Sequence, residues 1–346
     1  MYYAGYMSNR KEAVFAMMGV TSIGAIWTAA LPLLGSEAIL SRFKQVDLKV
    51  LVTVDRFLQD GEEIDMLSKV KEIAEGLPSL EKVIIVASKS NSYLKDISSI
   101  RNSCFLNEFL KMGYEKDGSV PEIQFEQVSF SHPVAISYTS GTTGIPKAIM
   151  HGCGILMAVA NAYYINFDGD RDTNWFSASP AGWASWTINS TLFFLGQTLV
   201  LFEGSPYYVS PTNMWDIIQK HKISHIFYPA SVIDEFQKRG YVPTEKHDIS
   251  SLRLVLAGGS VVKPASYDFM KKILRDTLFA SSYGCTEVMG IVLAAEMSLP
   301  LYKSEINAPC LGTTIEVVDP DGNRIIGEIE KLSSESPYLG FSRNVE

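Results

Sequence analysis

Tyr138-Thr139-Ser140-Gly141-Thr142-Thr143-Gly144-Ile145-Pro146-Lys147 gathers hydroxyls, two glycines and a terminal lysine directly behind the apolar run Val134 to Tyr138. The run predicts a buried strand. Glycines let a tight loop aim its backbone N–H groups at one point, and the hydroxyls add donors beside them. Lys147 brings a full positive charge, so the stretch suits a polyphosphate. It is not the P-loop of the common nucleotide hydrolases, which ends in Gly-Lys-Ser/Thr and opens into a helix. Here Pro146 precedes the lysine and Ala148-Ile149-Met150 reads as a second apolar strand, so a hairpin-like loop is expected. A polar surface turn would also use Ser, Thr and Gly, but it rarely needs them at this density with a Pro-Lys ending.

Around this loop, strands alternate with helices, which predicts an α/β protein with mostly parallel sheets and flanking helices. Strands are expected at Val50–Val54, Val83–Val86, Thr198–Phe202, Ser224–Tyr228 and Leu252–Leu256. Helices are expected at Arg10–Gly19, Glu62–Glu75, Thr212–His221 and Pro264–Arg275. Ser88 to Asp117 is polar and reads as loop-rich. The turn signal Asp319-Pro320-Asp321-Gly322-Asn323, between two short expected strands, marks a β-rich part that starts near residue 300. Three regions follow: a first α/β unit over 1–130, a second over 131–299 that carries the loop, and the beginning of a β subdomain over 300–346.

The 346 residues are 47% hydrophobic and 20% charged, the balance of a folded chain. The net charge of −8 argues against a general binder of nucleic acid or anionic membranes. Any anion must then be held locally, by loop dipoles and a few lysines. Cys104, Cys153, Cys285 and Cys310 show neither metal-ligand spacing nor the density of a disulfide scaffold, which fits a reducing, cytosolic setting. Ala13 to Ser36 lacks any charged residue and is long enough to span a bilayer. Its small residues, with Pro32 and Gly35 near its end, divide it instead into a buried helix and a strand near Ile23 to Trp27.

Three further stretches carry chemistry. Tyr283-Gly284-Cys285-Thr286-Glu287 follows an expected strand and ends in a carboxylate, the group a hard cation takes. Ala257-Gly258-Gly259-Ser260 closes another strand with two glycines, where missing side chains allow a flat ring to lie on the backbone. Ala181-Gly182-Trp183-Ala184-Ser185-Trp186 concentrates two tryptophans behind a bend; aromatic pairs usually mean core, while the bend favours a pocket wall. His151 has no nucleophile with a second partner, and His221, His225 and His247 are assigned no role.

In this order the motifs resemble those of the adenylate-forming superfamily of acyl-CoA synthetases, luciferases and peptide-synthetase adenylation domains. The loop departs from the common form at Ile145, where Lys is frequent, and at Ala148, where Gly is frequent. The phrase Glu12 to Met18 followed by Ile23 to Trp27, and Gly204-Ser205-Pro206 after Leu199 to Glu203, are similar to the branch that activates acetate and acetoacetate. The resemblance implies ATP, Mg²⁺ and CoA as reactants. Thr139, Ser140, Gly141, Thr142, Thr143, Gly144 and Lys147 would hold phosphates, and Thr286 would donate to the α-phosphate. Glu287 would take Mg²⁺, while Gly258, Gly259, Ser260, Tyr283, Gly284 and Cys285 would border the adenylate. Thr142, Lys147, Thr286 and Glu287 would serve catalysis, and Gly182, Trp183, Ala184, Ser185 and Gly284 would line the acid pocket. The acetate enzymes carry Trp where Gly284 stands, so a small acid larger than acetate, with acetoacetate preferred, is expected.

The resemblance implies activation of a carboxylate as acyl-adenylate with loss of pyrophosphate, then thioester formation with CoA. Relative to the family pattern, Tyr3 to Asn9 already lies inside the first subdomain. Glu346 precedes the ribose-binding aspartate and the small mobile C-terminal domain with its lysine. Two readings stay open: a ligase, fully active in a longer form, or a remnant that binds nucleotide or a protein partner.

Overall fold

A computed structural model describes residues 1–139, 146–317, 323–324 and 339–340. The first unit contains β1 (Tyr2–Tyr6), β2 (Ile26–Ala30), β3 (Leu48–Val54), β4 (Arg56–Gln59), β5 (Glu62–Asp65), β6 (Lys82–Val86) and β7 (Ser103–Phe105). β8 (Pro133–Tyr138) and β9 (Ala148–Gly152) flank the hydroxyl-rich loop. Seven of these strands form one sheet in the order β7-β6-β3-β1-β2-β8-β9, with all neighbours parallel except β8 and β9. The expected hairpin is therefore present. Its strands, however, join the first sheet and not the second, so the sheets do not divide at residue 131.

The second sheet runs β11 (Thr198–Leu201), β10 (Asn174–Ser177), β12 (His225–Pro229), β13 (Leu254–Gly258) and β14 (Leu278–Ser281), all parallel. Every residue of β13 is buried, as befits a central parallel strand covered on both faces. The helix Pro264–Leu274 starts with proline in its first turn, where the missing N–H costs nothing, and packs Met270 and Leu274 into this unit's core. Beyond it, β15 (Tyr283–Cys285), β16 (Gly290–Ala294) and β17 (Ala308–Pro309) form a small antiparallel sheet. β18 (Glu316–Val317) pairs with β19 (Leu339–Gly340). Of the turn at Asp319 to Asn323, only Asn323 lies within the described residues.

Two local expectations fail. Glu62–Glu75 is not one helix: Glu62–Asp65 pairs with Arg56–Gln59 as a hairpin, and the helix is Leu67–Gly76. Asp55 explains the break. Fully buried, it receives the Ser88 N–H at 2.8 Å and the Arg56 Nε–H at 3.0 Å, while its backbone carbonyl accepts the Met66 N–H at 3.0 Å. These anchors hold both ends of the hairpin against the first sheet. Burial opposes ionisation of Asp55, but hydrogen bonds from Ser88, Ser92 and Arg56 outweigh it and hold the carboxyl down at about 2. Ser88–Asp117 is also less loop-rich than expected, since it holds β7 and the short helix Leu106–Lys111.

The uncharged run Ala13–Ser36 resolves into a helix buried along one face, with Phe15 and Met18 exposed on the other, and a fully buried strand. Ala13, Val14, Met17 and Val20 of the helix Lys11–Ser22 are buried, and all of β2 is buried. Among the described residues no helix is long and apolar enough to cross a membrane.

Candidate active site

Asn9 ties the two large sheets together. Just past β1, it donates from Nδ2 to the carbonyls of Ser177 (2.8 Å) and Phe202 (3.2 Å), and its Oδ1 accepts the Trp186 indole N–H at 3.0 Å. Asn9 is buried, so each bond replaces one that water can no longer make. Beside this joint lies a cavity of about 610 Å³. Gly258 at the end of β13 with the following Gly259 and Ser260, Gly284 and Cys285 of β15 with the following Thr286, and Trp183, Ala184 and Ser185 all line it. Three stretches separated by up to a hundred positions in sequence thus meet around one space.

The two tryptophans divide their roles. Trp186 is fully buried core, whereas Trp183 is 56% exposed at the cavity wall. The bend between them and the preceding strand depends on Gly182, at φ +103°, where a Cβ would fall 2.8 Å from the Ala30 Cα. Gly182 itself does not line the cavity; it lets this segment press onto the end of β2. Ser179 and Ser185 share a hydrogen bond of 2.6 Å, and both line the cavity.

Gly284 serves the backbone before the pocket. A Cβ there would lie 2.2 Å from the Gly290 carbonyl oxygen, inside the β15–β16 pairing. A tryptophan at this position requires the two strands to shift, so the depth expected from its absence also depends on this close pairing. Burial, with the Glu287 carboxylate adding to it, raises the Cys285 thiol above its usual range. That favours a neutral wall group over a nucleophile.

The remaining expected residues sit elsewhere. Tyr283 is half-buried, and Glu287 is exposed in the turn between β15 and β16; neither lines the cavity. Thr139 and Lys147 close the neck of the hydroxyl-rich loop through a Thr139 N–H to Lys147 carbonyl bond of 3.1 Å, and Lys147 is exposed. Ser140, Gly141, Thr142, Thr143 and Gly144 lie outside the described residues. Among the described residues, no group of three or more His, Cys, Asp or Glu could hold a metal ion. A lone exposed carboxylate such as Glu287 fits a Mg²⁺ that arrives chiefly on phosphate oxygens, and not a resident all-protein site.

The profile of the family described as AMP-binding enzyme matches residues 4–331. The chain belongs to that family. Similar curated relatives include the acetoacetyl-CoA synthetase of Xenopus tropicalis, 34% identical over 96% of this chain and 50% of the relative. That of Gallus gallus is 33% identical over the same shares. A solved structure, acetoacetyl-CoA synthetase from Streptomyces lividans, superposes with a TM-score of 0.84 at 28% identity, covering 94% of this chain and 49% of that one. The chain spans about half the length of the relatives it matches.

Several residues of the site were not singled out in the sequence. Tyr163, Ser177 and Asn189 also line the cavity, yet no motif marks them. Gln45 is another: its Nε2 donates to the Pro146 carbonyl at 2.8 Å, and its Oε1 accepts the Ala148 N–H at 3.2 Å. One amide thereby brackets Lys147 on both sides. A glutamine just after the helix Ser36–Phe43 gives no sequence signal, because its partners are backbone atoms a hundred residues away.

Proposed function

We propose that this chain carries the adenylate-forming site of an ATP-dependent acid–CoA ligase that activates a small carboxylate, with acetoacetate preferred. The convergence of Trp183–Ser185, Gly258–Ser260 and Gly284–Thr286 on one cavity supports this reading most directly. Gly258, Gly259 and Ser260 offer a wall with little side-chain bulk to a flat base, and the Thr286 hydroxyl offers a donor to the α-phosphate. Trp183, Ala184 and Ser185 would border the acid.

The first step must bring two anions together: the carboxylate oxygen attacks the α-phosphorus and pyrophosphate leaves. Binding both in one cavity supplies proximity, and the Thr286 hydroxyl and the Lys147 ammonium offset charge on the phosphates. When bound, Mg²⁺ would neutralise phosphate charge, with Glu287 as its protein ligand. In the second step the CoA thiolate attacks the acyl carbon and AMP departs. For its approach we assign the neighbouring cavity of about 260 Å³, which shares Ala178, Pro180 and Tyr207 with the first. Four free cysteines accord with a cytosolic reaction.

Exchange of labelled pyrophosphate into ATP, compared across acetoacetate, acetate and butyrate, tests the assignment. Acid-dependent exchange, fastest with acetoacetate and reduced at least tenfold by Lys147→Ala, is expected. A folded chain without exchange would remove autonomous adenylation, and thermal stabilisation by ATP in that case would favour nucleotide binding alone.

A further inference from the structure

We propose that Ser177 and Asn189, braced by Tyr163, form a donor site that selects acids with an acceptor oxygen, such as a keto group, remote from the carboxylate. This rests on the cavity holding the acyl group. Ser177 is 2%, and Asn189 and Tyr163 each 3%, exposed, and all three line the cavity. The Tyr163 hydroxyl donates to Asn189 Oδ1 at 2.9 Å, and Asn189 Nδ2 donates to Ser177 Oγ at 3.2 Å.

This chain of bonds fixes polarity. With its oxygen engaged by Tyr163, Asn189 presents its amide nitrogen toward Ser177. Burial raises the Tyr163 hydroxyl far above its usual range, so it stays a donor. Once these bonds are made, the second Asn189 N–H and the Ser177 O–H have no acceptor among the described residues. The apolar residues Ile188, Ala184, Phe227 and Ile291 line the same cavity. A straight alkyl tail would cover two donors without satisfying them, whereas a keto oxygen has two lone pairs to offer. Sites built to hydrogen-bond a substrate group discriminate strongly against the analogue that lacks it.

The test uses two inert esters of AMP, 3-oxobutyl-AMP and butyl-AMP, titrated into the whole chain by calorimetry. We expect the oxo ester to bind at least about tenfold more tightly. Ser177→Ala should cut that preference severalfold, and Asn189→Leu should bring the ratio near one, chiefly by weakening the oxo ester. If Asn189→Leu does not fold, Ser177→Ala carries the test alone. Equal binding of both esters by the unaltered chain overturns the proposal and leaves the ligase reading standing. A preference that survives in the folded variants also overturns it, because the oxygen is then read elsewhere. Binding of neither ester removes the adenylate reading itself, and this proposal with it.

Discussion

Acidification between pH 6.5 and about 4 should weaken the fold through one imidazole. His225, on β12, is fully buried, with its ring centroid 4.9 Å from that of Trp175. Its Nε2 lies 3.0 Å from the Phe167 carbonyl and its Nδ1 2.8 Å from Ser224 Oγ. The neutral tautomer with the proton on Nε2 satisfies both contacts. Burial is the main cause that brings its pKa from 6.5 down to about 4, with Arg253 adding to it and the Phe167 carbonyl, Asp170 and Asp168 opposing. Well above pH 6.5 neither state carries the proton, and the contribution to stability is complete. As pH falls toward 4 the unfolded chain takes up a proton that the folded chain refuses, so stability is lost progressively. At about 1.4 kcal/mol per pH unit, the span from 6.5 to about 4 is worth about 3 kcal/mol.

Urea unfolding across that range, of the unaltered chain and of His225→Gln, isolates this group from the carboxylates and the other histidines. Gln keeps a donor and an acceptor but does not titrate. The stability difference between the two should be constant above pH 6.5 and should shrink by about 3 kcal/mol on reaching pH 4. Asp55 does not interfere, because its contribution is lost only as pH falls from 3.8 toward 2. A difference that stays the same at every pH would refute the reasoning. Phe227 and Pro229, two and four residues along the same strand, line the cavity, so ligand affinity should fall in the same pH window.

Two substitutions probe the supports of the site. Gln45→Leu removes the bonds to Pro146 and Ala148; a loss of about 1 kcal/mol in unfolding free energy and a severalfold drop in pyrophosphate exchange are expected, and unchanged exchange would free Lys147 from this brace. Gly284→Ala places a methyl 2.2 Å from the Gly290 carbonyl and should cost roughly 1–3 kcal/mol by parting β15 from β16, read as a lower urea midpoint.

The sequence made the parallel core legible because strands such as Leu254–Gly258 are short, apolar and punctuated by glycine. It made the hairpin around the hydroxyl-rich loop legible through Pro146 and the second apolar run. It misled at Glu62–Asp65, where polar residues of a two-stranded hairpin imitate the first turn of a helix, and only Asp55's bonds reveal the break. Sheet membership of β8 and β9 was hidden because it depends on pairing with β2, a hundred positions earlier. The fates of Trp183 and Trp186 depend on where a helix begins and on the Asn9 bond, neither of which local composition encodes. Ser177 and Asn189 escaped for the same reason: twelve residues apart, they become one polar unit only after β10 and its following helix pack together.

The most direct test is a crystal structure of this chain grown with butyl-AMP. The account predicts adenosine against Gly258–Ser260 and Gly284–Thr286, with the butyl group directed toward Trp183–Ser185. Electron density for the ester in any other place, with that cavity left to solvent, would contradict it.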